Sequence, residues 1–344
     1  HAEVEGLDLD KGQVLAQGRP PVDFDLLSIN TGSRPRTIDI PGAAEFAMPV
    51  KPIDAWLEQW QTLQQRVLAS RGTFRMVVVG GGAGGVELAL STQHRLRKLL
   101  AEQGDEPERL HVELLTDGDE IFNTHNAGVR RRFERILSER GIGLHTGHRV
   151  IEVTGDTVHC ECRDARQADA VQWVTQASAP GWPTEAGLAV DEQGFIQVDD
   201  CLQSLSHAQV FAAGDIASMP NPRPKSGVFA VRQGPVLTEN LRRASRGRTL
   251  KRYRPQRNFL GLISTGDRYA VASRGSWSIE GAWLWGLKDW IDRRFMRRFN
   301  ELPDMAEEAG PSLAEGVADA QAIKELSTLA MRCGGCGAKV GSTV

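Results

Sequence analysis

Residues 76–87 read MVVVGGGAGGVE, an apolar run that breaks into a glycine cluster and then into a helical pattern. Val77, Val78 and Val79 have the β-branched, uninterrupted character of a strand buried on both faces. Gly80, Gly82 and Gly85 fall at the spacing G-x-G-x-x-G. In that spacing the first glycine permits a tight turn, the second lets a pyrophosphate approach the backbone, and the third lets the following helix pack against the strand. The N-terminus of that helix offers free N–H groups and a positive dipole end to the phosphates. A glycine-rich turn can be purely structural, but the flanks here are those of a βαβ unit. Val86, Leu88, Leu90 and Leu96 recur among polar residues, and HVELLTD at 111–117 reads as the second strand.

Composition agrees with a soluble enzyme. With 344 residues and 40% hydrophobic content the chain can bury more than one core. A net charge of -3 gives no global affinity for nucleic acid, and no apolar run approaches the length of a membrane span. Five cysteines suit a reducing, cytoplasmic setting better than a disulfide scaffold. Cys160 and Cys162 read as residues of one alternating strand, sharing a face. His145 and His148 lie on a strand-like edge without the Cys or acidic cluster a metal would need. Before the glycine motif, three short β segments read as a meander leading to a buried strand that ends at Thr31-Gly32.

Three segments together resemble one superfamily: FDLLSINTGSRPR at 24–36, the glycine motif at 80–87 and QVFAAGDIA at 209–217. Their order and spacing are similar to those of the FAD-dependent pyridine nucleotide-disulfide oxidoreductases, which include the type II NADH dehydrogenases. The resemblance implies an α/β fold with two Rossmann-like dinucleotide-binding domains and a small α+β C-terminal module. It places an FAD domain at 1–45 and 190–245, an NAD(P)H domain at 73–180 and the module at 250–302. It also implies that the first FAD-binding βαβ unit, about 30 residues or more, precedes His1, so that the visible glycine motif is the NAD(P)H one.

Carried over residue by residue, the FAD contacts fall on Thr31, Gly32, Gly214 and Asp215, with Lys225 beside the flavin, and the nicotinamide contacts on Gly80, Gly82 and Gly85. A carboxylate such as Asp215, after a glycine at a strand's C-terminal end, faces the crevice where open α/β sheets bind ligands; an Asp capping the next helix is the alternative. At the end of the second strand Thr116 stands where an acid would read the ribose, with Asp117 one residue late and no arginine adjacent, which leans to NAD over NADP. Glu87 is implied to lie near flavin and nicotinamide, although a glutamate in a first helical turn also suits the dipole. In type II NADH dehydrogenases the helix corresponding to 224–244 carries Ala-Gln and then paired glutamines near the quinone. Gly227-Val228 and Arg232-Gln233 stand there instead, and with Lys225 and Arg232 they suggest an anionic small-molecule acceptor or an altered flavin environment; an NADH:quinone oxidoreductase, favoured by the basic helix at the C-terminus, is the alternative enzyme.

Two C-terminal features remain. The module reads as two strands, FLGLIST and RYAVASRG, and a helix from about Ala282. Trp283, Leu287, Ile291, Phe295 and Phe299 recur at i+4 on that helix, among Lys288, Arg293, Arg294, Arg297 and Arg298. Such a stripe packs on its own protein or a homodimer partner, or lies peripherally on the inner membrane. A linker at 303–330 then leads to MRCGGCGAKVGSTV at 331–344, which resembles the start of selenide, water dikinase. Cys336 and Lys339 match its catalytic Cys and Lys, where a thiolate can hold reduced selenium beside an ammonium. The resemblance implies an oxidoreductase domain covalently fused to a selenophosphate-forming kinase whose ATP and Mg²⁺ ligands lie beyond Val344, with an oxidised selenium species as the electron acceptor. A non-catalytic, cofactor-binding regulator of the kinase is the alternative of a different class.

Overall fold

The computed structural model describes residues 2–35, 40–175, 177–256 and 258–301. At its centre the 74–79 run is the middle strand of a five-stranded parallel sheet, in the order Ala47–Pro49, Ala170–Trp173, Phe74–Val79, Leu110–Leu115 and Ile142–His145. Alternate side chains of the central strand enter two different cores. Met76 and Val78 meet the helices Ile53–Ala69, Ala83–Glu102 and Ala127–Glu139 on one face. Val77 and Val79 meet Trp173 and an antiparallel meander over 150–167 on the other. Both faces are therefore dry, which is why the run shows no polar alternation. Complete burial of each such valine is worth about 1.5–3 kcal/mol. The edge strand Ala47–Pro49 and the helix Ile53–Ala69 belong to this body although they precede residue 73.

The second body is built from distant pieces. Leu27–Ile29 pairs in parallel with Val210–Ala212, and Ile29, Phe211, Ile196, Val198 and Leu237 form its core. The helix Gly227–Ala244 contributes Leu237 to that core. Ahead of it, Val4–Asp8, Gln13–Ala16 and Val22–Asp23 form an antiparallel meander.

The C-terminal module has three antiparallel strands rather than two: Gly261–Ser264, Ala270–Arg274 and Trp277–Gly281, followed by the helix Ala282–Asn300. It docks on the helices of the first body. A Cβ on Gly266 would lie 2.6 Å from the backbone of Ser91, and Arg135 pairs with Glu280 at 2.7 Å. Only part of the expected i+4 stripe is packed. Leu284 is buried and Trp285 and Leu287 pack beside it, whereas Trp283 and Phe299 are 62% and 61% exposed. The short sheet supports only the first turns, so the later apolar residues meet solvent. Among the described residues no helix is long and apolar enough to cross a membrane.

Candidate functional site

A cleft of about 1220 Å³ lies between the two bodies, above the roughly 300–1,000 Å³ of a pocket for one drug-sized ligand. One wall is the glycine loop. Gly80 has φ +131°, and a Cβ there would meet the Val174 carbonyl oxygen at 2.3 Å, so only glycine makes the turn. A Cβ on Gly85 would lie 1.8 Å from the Gly80 carbonyl oxygen, which is how closely helix and strand approach. Gly82 behaves differently: its Cβ would meet nothing within 4 Å, and it lines the cleft. The space in front of it suits a pyrophosphate. Gly82 also caps the helix Ala83–Glu102 with no side-chain cap bond, leaving first-turn amides for an anion.

At the strand end beside this loop both residues singled out from the sequence, Thr116 and Asp117, line the cleft. Thr116 is buried, with Oγ1 2.5 Å from where a Gly81 Cβ would be, so its side chain fills space under the loop. Asp117 is exposed on the cleft. The chain supplies an arginine here after all. The His148 N–H donates to the Thr116 carbonyl at 2.8 Å and that of Gly147 to Gly118 at 2.9 Å, which brings His148 and Arg149 to the same end of the cleft as Asp117.

The opposite wall carries Gly214, Asp215, Lys225 and Phe229. Gly214 has φ +74° and opens a short turn after the strand Val210–Ala212. Its N–H donates to Gln233 Oε1 at 2.5 Å, so a buried glutamine of the helix Gly227–Ala244 holds the Asp215 turn in place. Asp215 Oδ2 accepts from Ser33 Oγ at 3.2 Å and from Lys51 Nζ at 3.2 Å. Lys225 Nζ donates to the Ala217 carbonyl at 2.6 Å and stands 3.8 Å over the Phe195 ring. Burial pushes the Lys225 ammonium below the ordinary lysine pKa, against the pull of Asp191 and Asp215.

Three expected site residues are elsewhere. Thr31 and Gly32 do not line the cleft; their neighbour Ser33, which is buried, makes the contact with Asp215. Glu87, expected beside flavin and nicotinamide, is also absent from the cleft lining. Its Oε1 accepts from the Ser264 N–H of the C-terminal module at 2.7 Å, because that hairpin packs on its helix. Burial raises its carboxyl above the usual carboxylate range, opposed by the Ser264 bond and by Lys288. Cys336 and Lys339 lie outside the described residues. Ser33 and Lys51 carry no local motif; each acquires its role through Asp215, 182 and 164 residues away in the chain.

The remaining sequence candidates are structural. Cys160 ends the strand Thr157–Cys160 and is buried, its thiol pushed up to about 11 by that burial, whereas Cys162 is exposed in the following turn. Cys162 lies past the end of the strand, yet its side chain still interacts with the Cys160 thiol. His145 and His148 sit against Glu113 and Asp164, at 3.5 and 3.3 Å. Among the described residues no cluster of His, Cys, Asp and Glu could hold a metal ion.

Comparison with known proteins agrees with this geometry. The NADH dehydrogenase-like protein YutJ of Bacillus subtilis is 23% identical over 265 residues, covering 77% of this chain and 70% of YutJ. The demethylphylloquinone reductase NdbB of Synechocystis is 26% identical over 278 residues, covering 77% of this chain and 66% of NdbB. The chain spans only 54% of the NADH dehydrogenase-like protein Rv1812c of Mycobacterium tuberculosis. Among solved structures, the sulfide:quinone oxidoreductase of Aquifex aeolicus superposes with a TM-score of 0.72 at 17% identity, over 86% of this chain and 74% of that one. NDH2 of Plasmodium falciparum, solved with NADH, gives 0.71 at 13% identity over 86% and 79%. The family model for pyridine nucleotide-disulphide oxidoreductases matches residues 1–234, and with its glycine loop and Asp215 turn facing one cleft, the chain belongs to that family.

Proposed function

We propose that this chain is the dinucleotide-binding part of an NAD(P)H-dependent FAD oxidoreductase that passes electrons to a small apolar acceptor of the quinone type. The observation that carries this reading is a single cleft with the Gly80–Gly82 loop on one wall and Asp215 on the other. The glycine loop and the helix amides hold the nicotinamide dinucleotide's pyrophosphate. Asp215, braced by Ser33 and Gln233, accepts from hydroxyls of the FAD ribityl chain. FAD, when bound, supplies the two-electron chemistry, and the protein supplies orientation and charge.

The acceptor reading rests on the surface near Phe229. Phe229 and Phe259 pack edge to face at 5.5 Å, and Val228, Val231 and Leu260 beside them are exposed. On the C-terminal helix Trp283, Trp290, Met296 and Phe299 are exposed as well, among arginines that include Arg294, which stacks on Trp290. That combination suits a helix lying in a membrane interface, where an apolar acceptor is dissolved. Relatives named for quinone substrates support the same choice.

A second acceptor, an oxidised selenium species, is favoured by one specific observation: the Cys336 and Lys339 pattern of the 331–344 segment, which resembles the start of selenide, water dikinase. Anaerobic mixing with NADH tests the core of the proposal. The bound flavin should bleach, and a protein that shows no bleaching with NADH or NADPH is not this enzyme. Reoxidation by a short-chain quinone against reoxidation by selenite then separates the acceptors. Cys336→Ser and Lys339→Ala should abolish selenide-dependent ATP consumption and spare bleaching if the tail belongs to a kinase.

A further inference from the structure

Among the described residues, Lys51 is the cation that reaches from the nicotinamide-side body to the flavin-side aspartate. It follows the edge strand Ala47–Pro49 and precedes the helix Ile53–Ala69. The Val50 N–H donates to the Trp173 carbonyl at 3.3 Å, so the backbone next to Lys51 is tied to the central sheet. Its side chain crosses to the other body. Nζ donates to Ser33 Oγ at 3.2 Å and to Asp215 Oδ2 at 3.2 Å, and Ser33 Oγ donates to the same Oδ2 at 3.2 Å. Ser33 and Asp215 follow adjacent parallel strands, whereas Lys51 belongs to a different sheet.

The triangle is asymmetric. The hydrogen bonds from Ser33 and from Lys51 both reach Oδ2 of the Asp215 carboxylate, not Oδ1. The lysine side chain is 44% exposed and that of Asp215 18%. A half-exposed pair of this kind adds little to stability, so its value lies in fixing orientation and charge.

We infer that Lys51 is a positioning residue for the flavin. It holds Asp215 through Oδ2 and so presents Oδ1 to a ribityl hydroxyl, and it sets a positive charge beside the cofactor from the domain that carries the nicotinamide. This rests on the FAD reading above. Two consequences follow from the charge. Hydride transfer to the flavin adds negative charge to the cofactor, and a fixed cation nearby favours the reduced form. Because the cation sits on the nicotinamide-side body, tight flavin binding also requires that body to be in place.

The test uses the intact protein stripped of FAD and retitrated with it, and the FAD-loaded protein poised against reference dyes without NADH. Lys51→Met should weaken FAD binding by about 10–100-fold, the loss of a charge-assisted bond, and should move the two-electron midpoint potential in the negative direction. Lys51→Arg should stay close to wild type in both. Ser33→Ala should weaken FAD binding less and leave the potential unchanged, because it removes no charge. Should Lys51→Met fail to fold, Lys51→Gln must show the negative shift. An unchanged potential in the charge-removing variants, with FAD affinity intact or with only thermal stability reduced, overturns the role of Lys51. A wild-type protein that takes up no FAD overturns the FAD reading itself, a distinguishable failure.

Discussion

The two walls of the cleft are built in opposite ways. The nicotinamide-side wall is a single local turn in which Gly80 is constrained by the Val174 backbone and Gly85 by that of Gly80, with Gly82 open to the cleft between them. The flavin-side wall is assembled from remote pieces: Ser33 and Asp215, in hydrogen-bond contact, are 182 residues apart in the chain, and Lys51 arrives from another sheet. A local turn is over-determined by backbone sterics, so it fails by unfolding. A wall of side-chain pairs fails one contact at a time.

The sharpest attempt to break that contrast is Gly85→Val. The added Cβ would fall 1.8 Å from a backbone oxygen that cannot rotate away, so the variant should lose more than about 3 kcal/mol of stability, read as a lower urea midpoint or loss of soluble protein. A wild-type midpoint would show that the turn is not packed at backbone level. Asp215→Ala comes next. It should reduce FAD affinity by about 10–100-fold with little change in unfolding, and equal losses of affinity and stability would mean that the flavin-side wall is as rigid as the other. Gly82→Val separates site from scaffold within the glycine loop itself. Since its Cβ enters open space, NADH affinity should fall by about tenfold or more while FAD content and the unfolding midpoint hold; unaltered NADH binding would reduce the loop to a structural turn.

A smaller effect concerns the helix that leaves the glycine loop. The Glu87 carboxyl binds its proton more tightly in the folded protein because it is buried. Its contribution to stability is therefore fully present below the ordinary carboxylate pKa and is lost as pH rises through the raised value. Glu87→Gln keeps an acceptor for the Ser264 N–H, so its unfolding free energy should lack that decline, and a parallel pH profile for the two proteins would contradict the assignment. The smallest effect expected is at the mouth of the nicotinamide wall. Arg149→Ala should lower the preference for NADPH relative to NADH by a few-fold, and Asp117→Ala should raise it, both measured as ratios of dissociation constants. No change in either ratio would place the ribose elsewhere.

How far the sequence could be read follows the same contrast. Val77–Val79 and the glycines announce a strand and a turn because burial on both faces and a forbidden Cβ restrict residue choice within a few positions. The Asp215 turn was legible from its own G-D signal at a strand end. Its supports were not: a serine, a lysine after a short edge strand and a glutamine in a helix have no local signature, and Thr31 and Gly32 drew attention away from Ser33. The C-terminal helix misled in a different way. Its i+4 apolar periodicity is real, but the three-stranded sheet beneath it is short, so packing uses Leu287 and the flanking Leu284 and leaves Trp283 and Phe299 exposed.

By itself the sequence determined the family, the central parallel strand and the glycine loop, along with Asp117 and Asp215 at strand ends on the cleft, because each depends on steric limits or strand-end geometry that act over a few residues. Only the tertiary structure decided that Thr116 packs under Gly81 while still lining the cleft, that Arg149 lines the same cleft as Asp117, that Glu87 turns to Ser264, and that Lys51 spans the two bodies. Those outcomes depend on which surfaces meet when separate sheets and helices pack, and contact between residues far apart along a chain leaves no fixed spacing for a sequence to display.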